Sequence, residues 1–345
     1  MTKKAICILR LSAIGDVCYT VAAVQMIQRQ YPDAQIVWII GSIEAQLVLD
    51  LPGIDFITID KKQNWYTTLL NVRSKLKNYY FDYLLHMHPS LRANLISLFI
   101  KARVKIGFDK ARTREWQSLF VNDYIPPSQK YHVLDGFLDF VRKLKIRIDD
   151  VSWQIPVSDE DQRWAMSQIA NHPKVLLINP SASKTERNWP ASKYAEFIKY
   201  AYQKGFFVIL TGSPKKQECD FSKEIEALAQ VPIRNIVGKT TLKQLLALLS
   251  VVDVVLGPDT GPVHMAVVVG TPVIGLYAHS NPQRTGPYSY IEYVVEVYHS
   301  IILKKYAKPA SQLPWRTRAK GKHLTSKIKV SDVNRMFDQL IETEF

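Results

Sequence analysis

Short apolar runs alternate with helix-length segments along most of this chain. Residues 5–9 and 36–40 form the first two runs, and the segment between them predicts a helix that continues to about Gln30. Two parallel strands need a long crossover connection, which is usually a helix. The repeated alternation therefore predicts an α/β protein whose parallel sheets are covered by helices on both faces.

The same alternation starts again in the second half of the chain. An extended segment near residues 149–159 separates the halves, and a helix capped by Ser158 or Asp159 follows it. A length of 345 residues and an apolar content of 47% favour two domains, each with its own core. We place the domains at residues 1–156 and 157–345 and expect a cleft between their two similar sheets.

The alternation is lost near the carboxyl terminus. Residues 304–329 are basic and are broken by two prolines. A last helix, residues 331–343, carries an apolar stripe of Val333, Phe337 and Leu340. This helix either closes the second domain or packs back on the first.

The composition gives a strong positive charge. There are 45 Lys and Arg against 31 Asp and Glu, a net charge of +14, which favours a nucleic acid, an anionic membrane surface or a phosphorylated substrate as partner. No zinc-finger, helix-turn-helix or RNA-recognition pattern occurs, which argues against nucleic acid. No run reaches the ~18 apolar residues of a membrane span, and the first apolar run is too short for a signal peptide. We therefore expect a cytoplasmic protein, with Cys7, Cys18 and Cys219 as free thiols.

The stretch Leu256–His264 carries the clearest sign of a ligand site. A buried strand ends in Gly-Pro, and an apolar helix follows the loop. Free N–H groups and the positive dipole end at a helix start form an anion site, and Thr260 and Gly261 lie where a phosphate would approach. Asp259 and His264 are placed to hold sugar hydroxyls. The alternative is that Asp259 caps the helix and His264 is a buried structural histidine.

Other loops have a similar composition. Residues 181–187, 211–213 and 238–240 each follow a strand or open a helix and are rich in hydroxyls or glycine, which suits phosphate oxygens and a ribose. No complete dinucleotide fingerprint or P-loop occurs, which argues against hydride transfer and P-loop chemistry. In the first half, residues 12–16 and 89–92 follow predicted strands, and open parallel sheets bind ligands at the carboxyl ends of their strands.

Two groups of residues are candidate metal ligands. His86 and His88 alternate on a strand and therefore face opposite sides, which argues against a shared metal. Asp159, Glu160 and Asp161 match the two-aspartate metal pattern of some sugar transferases, but they fall in the first turn of a helix, where acidic residues stabilise the helix dipole. We expect neither a metal nor another cofactor.

Three motifs follow one another in a specific order. ILRLSAIGD ends at Asp16, NPSASKTERNWP spans 179–190, and GPDTGPVH spans 257–264. Together they resemble the bacterial ADP-heptose:lipopolysaccharide heptosyltransferases, glycosyltransferase family 9, from about Ala5 to Tyr288. The branch that adds the first heptose to the Kdo (3-deoxy-octulosonate) of lipid A is the most similar. The resemblance implies a GT-B fold, two Rossmann-like domains with the acceptor site in the first and the donor site in the second, and an inverting, metal-independent transfer.

The resemblance also implies roles for individual residues. Asp16 matches the catalytic base, although it could instead only cap its helix. Arg187 stands where relatives often carry a lysine, and it would stabilise the leaving diphosphate. The implied donor-binding residues are Ser181, Ser183, Gly212, Glu218, Thr240, Asp259, Thr260, Gly261 and His264. A polyanionic acceptor predicts a basic rim in the first domain, and the expected acceptor-binding residues are Ser12, Gly15, Arg92, Arg112 and Arg114, with Lys110 beside them.

These expectations describe a heptosyltransferase that uses ADP-L-glycero-D-manno-heptose. Its acceptor is Kdo-lipid A, and it acts as a peripheral protein at the cytoplasmic face of the inner membrane. Two alternatives stay open. One is the same fold with another nucleotide sugar, since the motifs indicate a diphosphate better than a sugar. The other is a basic protein that binds nucleic acid or membrane on this fold without turnover, for which neither base-stacking surfaces nor a recognition motif is visible.

Overall fold

The computed structural model describes residues 3–127, 131–170 and 172–345. They form two compact units, Met1–Pro156 and Val157–Phe345, each built on one parallel six-stranded sheet. Among the described residues no helix is long and apolar enough to cross a membrane.

The first unit alternates strands with helices, as the apolar runs predict. Its elements are β1 (Ala5–Leu9), α1 (Ile14–Gln30), β2 (Gln35–Gly41), α2 (Ser42–Ala45), β3 (Ile54–Ile59), α3 (Trp65–Lys75), β4 (Phe81–Leu85), α4 (Leu91–Ser97), β5 (Ala102–Gly107), β6 (Asp123–Tyr124) and α5 (Val133–Lys143). The strands lie in the order β3-β2-β1-β4-β5-β6. Cys7 is level with Val37 on one side and Leu84 on the other, and all three are buried, as in a sheet covered on both faces.

The second unit repeats this arrangement. Its elements are α6 (Asp159–Ile169), β7 (Val175–Ile178), α7 (Ala191–Gln203), β8 (Phe207–Leu210), α8 (Lys216–Ala229), β9 (Ile233–Asn235), α9 (Leu242–Leu249), β10 (Val254–Pro258), α10 (Gly261–Val269), β11 (Val273–Tyr277), α11 (Pro282–Thr285), β12 (Val294–Glu296), α12 (Tyr298–Tyr306) and α13 (Val330–Glu344). The strand order is β12-β11-β10-β7-β8-β9. Ser158 caps α6 as expected, because its Oγ accepts from the backbone N of Asp161 at 3.1 Å.

Both sheets have the strand order of a Rossmann fold, in which the direction of progression reverses once. The reversal lies between β1 and β4 in the first sheet and between β7 and β10 in the second. Ligands of open α/β sheets bind outside the carboxyl ends of the strands at such a switch point. The turn of Asp16 follows β1, and the loops of Arg187 and Asp259 follow β7 and β10. Each of these residues therefore lies at the carboxyl edge of its own sheet, where ligands are expected.

Some elements differ from the predicted ones. The largely apolar residues 45–49 predict a helix, but the structure has only the short α2, which ends at Ala45 and is followed by turns. Helix α10 starts at Gly261, about one turn before the apolar run, because Pro262 in its first turn has a backbone preset for a helix start. Helices α3 and α5 have no counterpart among the predicted elements.

The last helix packs in the core of the second unit. The ring centroid of Phe337 lies 5.5 Å from that of Phe197 and 4.9 Å from that of Phe206, both edge-on. Val333 and Leu340 are buried in the same core. The suggestion that α13 packs back on the first domain is wrong, because its apolar stripe is buried in the core of the second unit.

The basic segment 304–329 is also folded against the second unit. It contributes Ala310, Ala319 and Leu324 to a small core that includes Ala278. These buried residues hold the segment near the end of β11 despite its charge and its prolines.

Candidate active site

Arg187 and Asp259 meet at the switch point of the second sheet. Strands β7 and β10 are neighbours, with Leu177 level with Val255, so the loops that follow them leave the sheet side by side. Nη1 of Arg187 donates to the backbone oxygen of Asp259 at 2.9 Å and lies 3.1 Å from Oδ2 of the same residue. The two side chains are only 14% and 12% exposed, so water screens this pair less than a surface ion pair.

His264 approaches the same carboxylate from α10. Its Nε2 lies 3.8 Å from Oδ1 of Asp259. Burial acts to raise the pKa of Asp259, but the contact with His264 and the charge of Arg187 outweigh it and hold this pKa well below its usual range. Asp259 is therefore an anion at neutral pH, held between a guanidinium and an imidazole. Such a carboxylate can accept hydrogen bonds from sugar hydroxyls.

The start of α10 adds an anion-binding element to this cluster. Thr260 precedes the helix in an extended conformation, and its side chain makes no capping hydrogen bond. The N–H groups of the first turn, beginning at Gly261, thus keep their capacity for a ligand. Gly257 allows the strand and the helix to approach, since a Cβ there would lie 3.0 Å from the Asn179 backbone oxygen and 3.1 Å from the Val263 side chain.

Several buried side chains at this edge have a polar atom without a hydrogen-bond partner among the described residues. Four of these atoms are Ser181 Oγ, Thr211 Oγ1, His279 Nε2 and Asn281 Nδ2. Ser181 follows β7, Thr211 follows β8, and the other two follow β11. Leaving such a group unpaired costs about 1–3 kcal/mol. Their concentration at one sheet edge indicates a place where a polar ligand supplies the partners.

The remaining predicted donor-binding residues have less specific surroundings. Ser183 is exposed in the loop after β7, and Thr240 is half-buried just before α9. Glu218 lies in the first turn of α8, and its two carboxylate oxygens accept from the backbone N of Ser213 at 2.8 Å and from its Oγ at 2.6 Å. Glu218 thus shapes the loop that contains Gly212, and its carboxylate is already engaged there.

In the first unit, Asp16 is held by a buried arginine. Arg10 directly follows β1 and is 8% exposed, and its Nη2 donates to Oδ2 of Asp16. Its Nη1 donates to the backbone oxygen of Met87 at 2.6 Å. The same Asp16 oxygen accepts from the backbone N of Ala13 at 3.4 Å, which is the contact expected of a helix cap. The Asp16 side chain is 32% exposed, so it is oriented by the protein and still accessible to a substrate.

The predicted acceptor-binding residues separate into two groups. Ser12 and Gly15 lie in the turn of Asp16, the first half-buried and the second buried. Arg92, Lys110 and Arg114 are exposed. These three can contribute to a basic rim.

The prediction that Arg112 binds the acceptor is wrong, because Arg112 is buried in an ion-pair network. It is 4% exposed, and its guanidinium donates to Asp109 at 3.0 and 3.1 Å and to Asp139 at 2.9 Å. Burial opposes its charge, but the two carboxylates outweigh burial and raise its pKa. Arg112 therefore links the Asp109 turn to α5 and is not available to an acceptor.

Sequence reasoning assigned no role to Arg10, although Arg10 stands inside the first motif. Its position directly after a predicted strand was an available signal. His279, which also follows a strand, was missed in the same way.

Comparisons with known proteins identify the family of this chain. Residues 69–314 match the sequence model of glycosyltransferase family 9 (heptosyltransferase). Over 330 residues the chain is 46% identical to the lipopolysaccharide core heptosyltransferase OpsX of Haemophilus influenzae, an alignment that covers 96% of this chain and 95% of that protein.

Solved structures show the same fold. A family 9 glycosyl transferase of Veillonella parvula superimposes with a TM-score of 0.79 at 20% identity, covering 99% of this chain and 97% of the other. The Escherichia coli heptosyltransferase WaaC with ADP gives a TM-score of 0.74 at 17% identity, covering 97% and 99%. The predicted GT-B fold class is confirmed. Since the family match spans more than half of the chain and the Haemophilus relative aligns along nearly all of it, the chain belongs to glycosyltransferase family 9, the heptosyltransferases.

Proposed function

We propose that this enzyme transfers L-glycero-D-manno-heptose from ADP-heptose to the Kdo of lipid A in synthesis of the lipopolysaccharide inner core. The name of the Haemophilus relative supports a lipopolysaccharide core acceptor, and the WaaC structure with ADP supports the nucleotide. The observation that carries the proposal is the cluster of Arg187, Asp259 and His264 beside the start of α10. It combines a cation for phosphate with an anion for sugar hydroxyls.

On the donor side, the second unit holds ADP-heptose. Arg187, the Ser181 hydroxyl and the N–H groups at the start of α10 stabilise the diphosphate as its bond to the heptose breaks. Asp259 accepts hydrogen bonds from heptose hydroxyls. Because Arg187 and the helix dipole balance the developing charge, the scheme needs no metal and no other cofactor.

On the acceptor side, Asp16 accepts the proton of the attacking Kdo hydroxyl. Arg10 positions the Asp16 carboxylate. The oxygen attacks the anomeric carbon from the face opposite the diphosphate, so that a single displacement inverts the configuration there.

The acceptor is anionic and lies at a membrane surface. The exposed Arg92 and Arg114 and the net charge of +14 support a peripheral association with the cytoplasmic face of the inner membrane.

The test is transfer with a panel of donors. Kdo-lipid A is incubated with the protein and with ADP-heptose, ADP-glucose, UDP-glucose or GDP-mannose, and product mass is measured. We expect the gain of one heptose with ADP-heptose alone, with the inverted anomeric configuration by NMR. A gain from another donor would overturn the donor assignment, and binding of Kdo-lipid A without any gain would support the non-catalytic alternative.

A further inference from the structure

His279 lines a pocket beside the Arg187–Asp259 pair but has no part in the scheme above. Thr325 and Ser280 also line this pocket. His279 is 4% exposed, and its Nε2 has no hydrogen-bond partner among the described residues. A buried nitrogen without a partner is costly unless a ligand pairs with it.

The other ring nitrogen determines what Nε2 can do. Nδ1 of His279 lies 3.1 Å from the backbone oxygen of Ala319, and the backbone N of Ala319 donates to the backbone oxygen of His279 at 3.0 Å. A carbonyl oxygen only accepts, so Nδ1 carries the hydrogen and Nε2 of the neutral ring is an acceptor. An acceptor in the wall of a pocket beside Asp259 fits a hydroxyl group of a ligand.

The same backbone pairing brings a positive charge to this place. Arg318 directly precedes Ala319 and is exposed. It makes no hydrogen bond or ion pair with the described part of the chain. Partial burial of its guanidinium, together with the positive charges of Arg187 and Arg284, lowers the pKa of Arg318. Three arginines close together create a positive potential, which favours binding of an anion.

We infer that His279 and Arg318 form an additional substrate subsite, in which Nε2 of His279 accepts a hydroxyl and Arg318 binds a phosphate or carboxylate of the same molecule. The inference rests on the proposed function, which makes the neighbouring Arg187–Asp259 pair part of the donor site. Arg318 lies outside residues 69–314, so the family match does not include it. The ligand is a hydroxylated anion, which describes both ADP-heptose and a Kdo acceptor.

Four substitutions isolate the two groups. Asparagine in His279→Asn keeps a donor near the position of Nδ1 and deletes Nε2, whereas glutamine in His279→Gln restores an acceptor near Nε2. Arg318→Gln removes the charge. Arg335→Gln is the matched control, since the Arg335 side chain is 78% exposed on α13 and pairs with a neighbouring acid, Asp332.

Dissociation constants are measured by calorimetry for ADP-heptose without acceptor and for de-acylated Kdo-lipid A. We expect His279→Asn and Arg318→Gln each to raise the dissociation constant of the same ligand about tenfold. This is the effect of one lost hydrogen bond to a buried or charged group. His279→Gln and Arg335→Gln should stay within about twofold. Weaker ADP-heptose binding assigns the subsite to the donor, and weaker binding of de-acylated Kdo-lipid A assigns it to the acceptor.

Three results would overturn the subsite. They are unchanged constants in both variants, effects on different ligands, and equal losses in His279→Asn and His279→Gln. Melting temperatures identify any misfolded variant, and the exposed Arg318 still tests the inference if His279→Asn does not fold. Failure of the proposed function is distinct, because it appears as absent heptose transfer or absent ADP-heptose binding in the wild-type protein.

Discussion

Arg10 donates from its buried guanidinium to the carboxylate of Asp16 and, through its other terminal nitrogen, to the backbone oxygen of Met87. Arg10 follows β1 and Met87 follows β4, the two strands between which the order of the first sheet reverses. The sheet itself therefore orients the Asp16 carboxylate. A carboxylate positioned by a sheet loses less conformational entropy on meeting a substrate than one on a mobile loop, which suits the role of base that we propose for Asp16.

Replacing Asp16 by asparagine should lower turnover by ~10²-fold or more, the usual effect of a lost general base. Asparagine keeps an acceptor for Arg10 but not the charge, so we also expect a small loss of stability. ADP binding should not change, because the ADP-binding groups that we propose lie in the second unit. Single-turnover kinetics, calorimetry with ADP and thermal unfolding measure the three effects. Turnover within a few-fold of wild type would leave Asp16 with only its capping role.

Replacing Arg187 by methionine should weaken ADP binding by at least tenfold. The substitution removes a phosphate contact and leaves the Asp259 carboxylate without its guanidinium, so unfolding free energy should fall by about 1–3 kcal/mol. Arg187→Lys should lose less of both, because it keeps the charge but not the planar fork. Calorimetry and urea unfolding measure the two quantities.

Lys184→Met is the control, since Lys184 is an exposed cation of the same loop. An Arg187→Met variant that binds ADP as tightly as this control would remove Arg187 from the donor site.

Local sequence patterns predicted the elements whose apolar residues repeat at short range. The predicted strand 5–9 coincides with β1, and the predicted helix that follows it ends at Gln30 as α1 does. Helix α3 was missed because only Thr68 and Val72 of it are buried, which leaves little apolar periodicity. Helix α5 does carry a helical period, because its apolar residues recur at 133, 134, 137, 138, 140 and 141, so the sequence offered a signal that the prediction overlooked.

The partners within the candidate site could not be predicted in this way. Arg187 and Asp259 are 72 residues apart, and Arg112 and Asp139 are 27 apart. The motif indicated the Asp259 loop because a strand followed by a helix is a local pattern. Asp109 lies only three residues before Arg112 and is a local signal, but the second acid, Asp139, reaches Arg112 only in the tertiary fold.

The protein should become less stable as the pH is lowered, because of His86. This residue is fully buried, and burial lowers its pKa to about 3. In the unfolded chain the pKa is about 6.5, so between these values the unfolded state binds a proton that the folded state does not. The contribution to unfolding free energy is fully present above about pH 6.5 and falls by up to ~1.4 kcal/mol per unit towards pH 3.

Urea unfolding at pH 7.5, 6 and 5 tests the effect. His86→Gln should show a smaller loss of stability over this range than wild type, whatever its stability at pH 7.5. The control is His172→Gln, at an exposed histidine. Parallel pH profiles for wild type and His86→Gln would show that this histidine does not resist protonation in the folded state.

Heptose transfer should survive an excess of EDTA. In the proposed scheme Arg187 and the start of α10 balance the charge of the leaving diphosphate, so the transfer does not need a divalent cation. Initial rates with and without the chelator should agree within error. Loss of activity that Mg²⁺ or Mn²⁺ restores would contradict this, and would direct attention to Asp159 and Asp161 in the first turn of α6.

The exposed Arg92 and Arg114 should affect binding of the acceptor, whereas the buried Arg112 should affect the stability of the fold. Arg92→Gln with Arg114→Gln should raise the KM for Kdo-lipid A several-fold at low salt, because exposed cations attract an anionic acceptor. The difference should shrink at high salt as screening weakens the wild type too, and the KM for ADP-heptose should not change. Arg112→Gln leaves Asp109 and Asp139 buried without their cation, so its main effect should be a loss of about 3–5 kcal/mol of stability.

Steady-state kinetics in detergent micelles at two salt concentrations, with denaturant unfolding of each variant, separate these outcomes. Arg335→Gln removes an exposed charge from the second unit and serves as the control for net charge. If the double variant keeps the wild-type acceptor KM at low salt, Arg92 and Arg114 are only solvated surface charges. The acceptor's anionic groups would then have to be sought along the basic segment 304–329, where single Lys→Gln changes can be screened by the same assay. A purely structural effect would instead lower stability and raise both KM values together, which the unfolding data and the ADP-heptose KM would reveal.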